Sequence, residues 1–357
     1  MISELEYIDW ITGRPEQAAH DLGSSDLRWE GGGPLDPAVL GGFPAPPAGR
    51  TFRELVADVY DVTPEQVLAT AGGTHANVLT FLAALDGTGR GVLVERPGYE
   101  PLRATPTALG AEVRRFERPA ADDYRLDPKA VTAAIGSDTA LVVVTNRHNP
   151  SGRLVNRETL AAVAGAVADR GARLLVDEVY APFGDRQGAR AFGGPTAAGL
   201  PGAVVTSSLT KFYGLGGLRV GWAIADEAMV ERLRTALRHV PAVADPSLEL
   251  GRTAVAAAEQ LSSRARSRIV ANADRLRSFV KDRADLSGSV YDGVSFGFLR
   301  HARADGDAVA EAAWEHGVLV VPGRFFDDES RFRVSLAGEP TAMADGLAAL
   351  GRALDTR

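Results

Sequence analysis

Through the middle of the chain, short apolar runs bounded by turn-forming residues alternate with stretches whose apolar positions recur at helical spacing. The runs at 91–96 (GVLVER), 140–146 (ALVVVTN), 173–178 (RLLVDE) and 203–209 (AVVTSSL) are apolar almost throughout. Strands buried on both faces, as in a parallel sheet with helices on either side, read this way. Between them, 156–171 (NRETLAAVAGAVADRG) starts on polar residues and stops on glycine, which predicts a helix. Strand and helix alternating at this pace predict parallel strands with crossover helices. A proline-marked break at 239–247 (HVPAVADPS) ends this pattern. Beyond it come a long helical period including 262–283, strand patterns in VSFGFLRH, GVLVVPG and FRVSLAG, a helix over 305–316 and a closing helix over 339–355. The expected fold class is therefore α/β: a large domain over residues 45–250, built on a mostly parallel sheet flanked by helices. A smaller α+β domain is expected from residues 1–44 and 251–357. The proline- and glycine-rich stretch 31–50 reads as an ordered arm, and there is no internal repeat.

Composition narrows the function classes. At 357 residues, 45% hydrophobic and 24% charged, the chain has ordinary globular make-up and room for one large domain or two unequal ones. A net charge of −7 argues against a general nucleic-acid binder. No run of eighteen apolar residues and no signal-like N-terminus occurs, so a cytoplasmic protein away from the membrane is expected. With no cysteine there are no disulfides, thiol nucleophiles or thiolate ligands. Six scattered histidines show neither HxH nor HExxH spacing, and no metal site is expected.

Lys129, Lys211 and Lys281 are the only lysines among 39 basic residues. Arginine serves as a surface cation just as well, but its guanidinium stays protonated and cannot attack a carbonyl. Lys211, within SSLTKFYGLGGLRVGW (207–222), is set among hydroxyls and glycines and so stands out as a candidate nucleophile. Other polar residues fall where a doubly wound sheet binds its ligands, at the carboxyl ends of strands. LLVDEVY places Asp177 at such an end with Tyr180 three residues on, and NRHNPSG forms a rigid turn at Asn149-Pro150. TAGGTHANVLTFLAAL places Gly72, Gly73 and Thr74 at a helix start, where free N–H groups and the helix dipole favour an anion. Ser208 and Arg219 bracket Lys211 and add a hydroxyl and a guanidinium for that anion. An amine, a phosphate cradle, a carboxylate and phenol or amide donors are the requirement for pyridoxal 5′-phosphate.

At these motifs the chain resembles the fold-type I pyridoxal-phosphate enzymes, and among them the class I/II aminotransferases. SLTKFYGLGGLRVGW is similar to their lysine motif, NRHNPSG to their asparagine-proline turn and VDEVY to their aspartate-x-x-tyrosine strand end. RPGY resembles the segment whose aromatic residue covers the cofactor ring, and FRVSLAG the strand bearing a substrate-carboxylate arginine. The resemblance spans roughly residues 20–340, with the motifs in family order. It implies an aminotransferase moving an amino group between an amino acid and a 2-keto acid, as a homodimer. Lys211 would bind the cofactor covalently and shuttle a proton, and Asp177 would pair with the ring nitrogen. Tyr180 and Asn149 would donate to the ring oxygen, and Tyr99 would stack on the ring. Gly73, Thr74, His75, Ser208 and Arg219 would hold the phosphate. Arg333 would clamp the substrate carboxylate, with Ser25 and Asn149 beside it and Arg331 as its rival.

Three positions depart from the family pattern: Phe43 in place of a tyrosine, Arg147 in place of a proline and Arg324 in place of a serine. Both arginines are expected at the substrate entrance or facing solvent. A lyase, decarboxylase or cyclase on the same cofactor would use the same lysine, aspartate and arginine, and stays open as the alternative. A nicotinamide dehydrogenase is disfavoured, because GLGGLRVG has Arg219 where the dinucleotide fingerprint needs a third glycine or alanine, and RVGWAIAD continues as a strand and not a helix.

Overall fold

Seven strands form the central sheet of the computed structural model, which describes residues 4–27, 36–87, 89–184 and 195–356. In spatial order they are Val67–Thr70, Gly221–Ile224, Ala203–Ser208, Arg173–Asp177, Thr139–Thr145, Gly91–Arg96 and Glu112–Glu117. The last five pair in parallel, and Gly221–Ile224 runs antiparallel to both its neighbours. The continuous apolar runs follow from burial on two faces. Val142, Val144, Leu174 and Val176 pack into one core, while Leu141, Val143 and Leu175 pack into the other. Leu160, Val163 and Val167 of the Arg157–Ala168 helix cover the first face. Leu79 and Phe81 of Gly73–Leu85, with Met229, Val230 and Leu233 of Glu227–His239, cover the second. Each such side chain contributes roughly 1.5–3 kcal/mol by leaving water.

A second sheet is antiparallel, in the order Val321–Pro322, Phe332–Ser335, Phe296–His301 and Leu286–Ser289. The N-terminal residues join this C-terminal part. His20–Asp21 pairs in parallel with Val318–Leu319, and Ser335 N–H donates to Leu22 O at 2.7 Å. The GVLVVPG run is therefore not one strand. Its first half faces the N-terminal segment and its second half faces Phe332–Ser335, with the change of partner at Val320. The break at 239–247 is also shorter than expected. Pro246 sits in the first turn of the Asp245–Ala256 helix, where its missing N–H has no partner to lose. Of the arm at 31–50, residues 31–35 lie outside the described residues, and Pro37–Gly42 is a 3-10 turn capped by Asp36.

Two features of this fold place the site. The register Thr145 opposite Asp177 opposite Thr206 lines up the carboxyl ends of three neighbouring strands. Gly221 lets its strand run hard against the turn before the Gly73–Leu85 helix. A Cβ there would lie 2.6 Å from both Gly72 C and Ser207 O, which are backbone atoms with no room to move. The helix start, Ser208 and Arg219 are thereby held at one spot.

Candidate active site

At the carboxyl edge of the sheet is a cleft of about 750 Å³, counted to its open mouth. Ser25, Gly73, Thr74, Tyr99, Asn149, Asp177, Tyr180, Ser208, Lys211, Arg219 and Arg333 all line it. Asp177 and Ser208 end their strands, Gly73, Thr74 and Tyr99 sit at two helix starts, and Ser25 comes from the N-terminal segment. Asp177, the last residue of its strand, is 5% exposed. Its Oδ2 accepts from Asn77 Nδ2 at 2.9 Å and its Oδ1 from Val179 N–H at 3.2 Å. Burial pushes its carboxyl above the ordinary value, against the pull of Asn77, Val179 N–H and Lys211. Asn77 is itself fixed, because its Oδ1 accepts from Thr206 Oγ1 at 2.6 Å.

Lys211 Nζ donates to Ser25 Oγ at 3.2 Å, and Ser25 Oγ lies 3.1 Å from the Tyr180 hydroxyl. Burial disfavours the charge on Lys211, while Tyr180, Asp26 and Tyr7 favour it against Arg333, and the net shift is upward. Tyr180 is pinned edge-on against Phe296, with ring centroids 5.0 Å apart. Beyond the lysine, Gly73 and Thr74 start their helix after Gly72, whose φ of 92° suits glycine alone. Arg219, also in the left-handed region at φ 52°, directs its guanidinium to this turn and donates to Ala71 O at 3.3 Å. Ser208 and Thr210 close the pocket.

Arg333 is 1% exposed on the opposite side of the cleft. Its Nη1 donates to Asn149 Oδ1 at 2.9 Å; its Nη2 donates to the Tyr7 hydroxyl at 3.0 Å and to Gly23 O at 3.4 Å. All three acceptors are neutral, and among the described residues Arg333 has no carboxylate partner. Arg331 is turned away. It pairs with Asp328 at 3.2 Å and lies over the Tyr124 and Phe298 rings, so the geometry favours Arg333 as the cleft arginine.

Four further residues lie outside the cleft lining. The His75 side chain does not line the cleft, since its Nδ1 turns back to accept from Ala71 N–H at 3.0 Å. Arg147 neither faces solvent nor lines the cleft. It is 7% exposed and its Nη1 donates to Asp292 O at 2.6 Å. Arg324 is held outside the cleft by Asp307 at 2.7 Å and Glu6 at 3.8 Å, over the Phe325 ring. Phe43 packs against the hydrophobic core. The cleft also contains residues that the motifs did not single out: Tyr7, Asn77, Thr145, Val179 and Thr210. Asn77 alone left a signal, as an amide on a helix whose neighbours Ala76, Leu79 and Phe81 are buried and apolar.

Residues 40–350 match the family model for aminotransferase class I and II. The chain belongs to this family. Capreomycidine synthase of Streptomyces vinaceus is 29% identical over 368 residues, covering 98% of this chain and 93% of that protein. A histidinol-phosphate aminotransferase of Frankia casuarinae is 32% identical over 321 residues, covering 85% and 76%. A PLP-dependent aminotransferase from Streptococcus suis has the same fold, with a TM-score of 0.87 at 24% identity over 99% of this chain and 98% of that one. The protein is therefore an enzyme of the aminotransferase kind, and its cofactor is pyridoxal 5′-phosphate. The cleft suits that group. A buried carboxylate held only by neutral donors awaits a cation such as a pyridinium, and Arg219 with a helix start awaits a phosphate. No helix among the described residues is long and apolar enough to cross a membrane.

Behind the cleft, Glu178 is fully buried, and burial raises its carboxyl to about 8. Its Oε1 accepts from Ala197 N–H at 2.7 Å, and among the described residues no hydrogen bond reaches its Oε2. The folded chain thus holds a proton that the unfolded chain releases near pH 4.5, and folding loses stability as pH rises from there towards 8. Glu178→Gln keeps the acceptor and removes the titration. Melting temperatures measured from pH 5 to 8 are expected to show the variant gaining steadily on the unsubstituted protein; parallel curves would show that Glu178 does not titrate in this range.

Proposed function

We propose that the protein transaminates an α-amino acid against a 2-keto acid, with the residues of this one cleft in the following roles. Bound there, pyridoxal 5′-phosphate supplies an aldehyde for amine exchange and a ring that takes up the electrons released at the substrate Cα. Lys211 Nζ holds the cofactor and then carries the proton from the substrate Cα. Asp177 faces the ring nitrogen and keeps it protonated. Tyr180 and Asn149 donate to the ring oxygen, and Tyr99 packs on the ring face. Gly73, Thr74, Ser208 and Arg219 hold the phosphate, joined by Thr210.

The observation behind this reading is the buried Arg333 guanidinium in the cleft that also holds Lys211, with only neutral acceptors among the described residues; it supports a substrate that bears a carboxylate, as an amino acid does. A planar fork of donors in that state is a site for a carboxylate. With the carboxylate fixed there, Ser25 and Asn149 would lie beside it, and transamination would require the Cα–H bond to be presented to Lys211. A second reading has one observation in its favour: the relative covering 98% of the chain is a synthase by name.

The active form is proposed to be a homodimer. Val39 in Pro37–Gly42 and Leu250 in Asp245–Ala256 are 44% and 36% exposed, and these two elements pack against each other, which leaves exposed apolar side chains on both. Sedimentation at twice the chain mass of 37.6 kDa is expected, and a monomer would refute the assembly. For the chemistry, the holoenzyme is incubated with a panel of single amino acids and no acceptor. A substrate should bleach the yellow band once, and 2-oxoglutarate should restore it. Continuous release of carbon dioxide or ammonia without a second substrate would replace transamination with the lyase reading.

A further inference from the structure

Tyr7 comes from the short Glu6–Ile11 helix, far from every motif, yet its hydroxyl reaches Arg333. The helix is fastened over the cleft from several sides. The Glu100 carboxylate accepts from Glu6 N–H at 3.2 Å and from Tyr7 N–H at 2.7 Å, filling donors that a helix start leaves open. The Tyr7 ring packs edge-on to Tyr99 at 5.9 Å and against Phe325 and Phe326 at 5.5 and 5.8 Å. Just beyond this helix, Arg14 lies against the Trp10 and Trp314 rings, 4.5 and 5.0 Å from their centroids.

The direction of one hydrogen bond gives this arrangement a chemical meaning. A guanidinium has no acceptor, so in the 3.0 Å contact Arg333 donates and the Tyr7 oxygen accepts. The phenol keeps its own hydrogen, and among the described residues no acceptor for it lies within hydrogen-bond distance. A rigid donor is therefore parked beside the Arg333 fork, inside the cleft.

We infer that Tyr7 is the second half of the carboxylate clamp, its hydroxyl donating to the same substrate carboxylate that Arg333 binds. The inference rests on Arg333 being that clamp. Tyr7 adds directed selectivity: it rewards a group with an acceptor oxygen at that point, and its position depends on Glu100 and the aromatic cluster.

The test compares two reagents that trap the cofactor aldehyde by the same chemistry, aminooxyacetate with a carboxylate and O-methylhydroxylamine without one. The loss of the yellow band of the holoenzyme gives the ratio of their second-order rates. Tyr7→Phe keeps the ring packing and removes the donor. It is expected to lower the ratio about tenfold, as loss of one hydrogen bond to a charged group does, while O-methylhydroxylamine reacts at an unchanged rate. Arg333→Lys should lower the ratio further. An unchanged ratio in Tyr7→Phe overturns the inference, as does an equal fall in both rates, which would mark Tyr7 as packing only. A ratio near one in the unsubstituted holoenzyme would instead overturn Arg333 as the clamp, and this inference with it.

Discussion

Asp177, Lys211, Arg219 and Arg333 bring four ionisable groups to one cleft, and among the described residues none closes an ion pair with another. Burying a charge without an opposite partner is costly, and the chain offsets that cost with neutral dipoles. Asn77 and Val179 N–H serve the carboxylate, Ser25 the amine, Ala71 O one guanidinium, and Asn149, Tyr7 and Gly23 the other. Each dipole fixes the direction of a charge and leaves the charge itself unmatched. The unmatched charges are complementary in sign and place to a phosphorylated pyridinium and a carboxylate. Electrostatic preorganisation of this kind works because the groups need not reorient when the ligand's charge arrives.

The charges that support this site are treated the opposite way. Glu95 and Arg118 are both fully buried and joined at 2.5 Å. Glu95 Oε1 takes both the N–H and the hydroxyl of Thr145, and Asn149 N–H donates to Thr145 Oγ1 at 2.9 Å. Asn149 in turn accepts from Arg333. A closed ion pair thus lies at the far end of a hydrogen-bonded chain that ends on an open guanidinium. The Glu95–Arg118 charges are matched within the fold, whereas the Arg333 guanidinium has only neutral acceptors among the described residues.

Much of this was legible in the sequence, for local reasons. Two-faced burial makes a parallel strand apolar throughout, so Thr139–Thr145 and Arg173–Asp177 stood out, and the polar residues closing them marked the ligand edge. Lys211 stood out because arginine had taken nearly every other basic position. What was hidden depends on long-range meeting. Tyr7 is 326 residues from Arg333, and Asn77 is 100 from Asp177; no local pattern encodes either contact. Glu112–Glu117, at the sheet edge, is half exposed and reads as polar, so it did not register as a strand. The His75 ring turning back to Ala71 N–H is a tertiary detail of the same kind, since a helix start beside glycines suggests an anion site and says nothing of where a ring will point.

The account depends most on Lys211 being the amine that holds the cofactor. Borohydride reduction of the yellow holoenzyme, followed by peptide mapping, tests this directly. The reduced cofactor should be found on Lys211 and on no other residue. Its recovery on Lys129 or Lys281, or the failure of reduction to fix it to the chain at all, would contradict the assignment on which the whole cleft is interpreted.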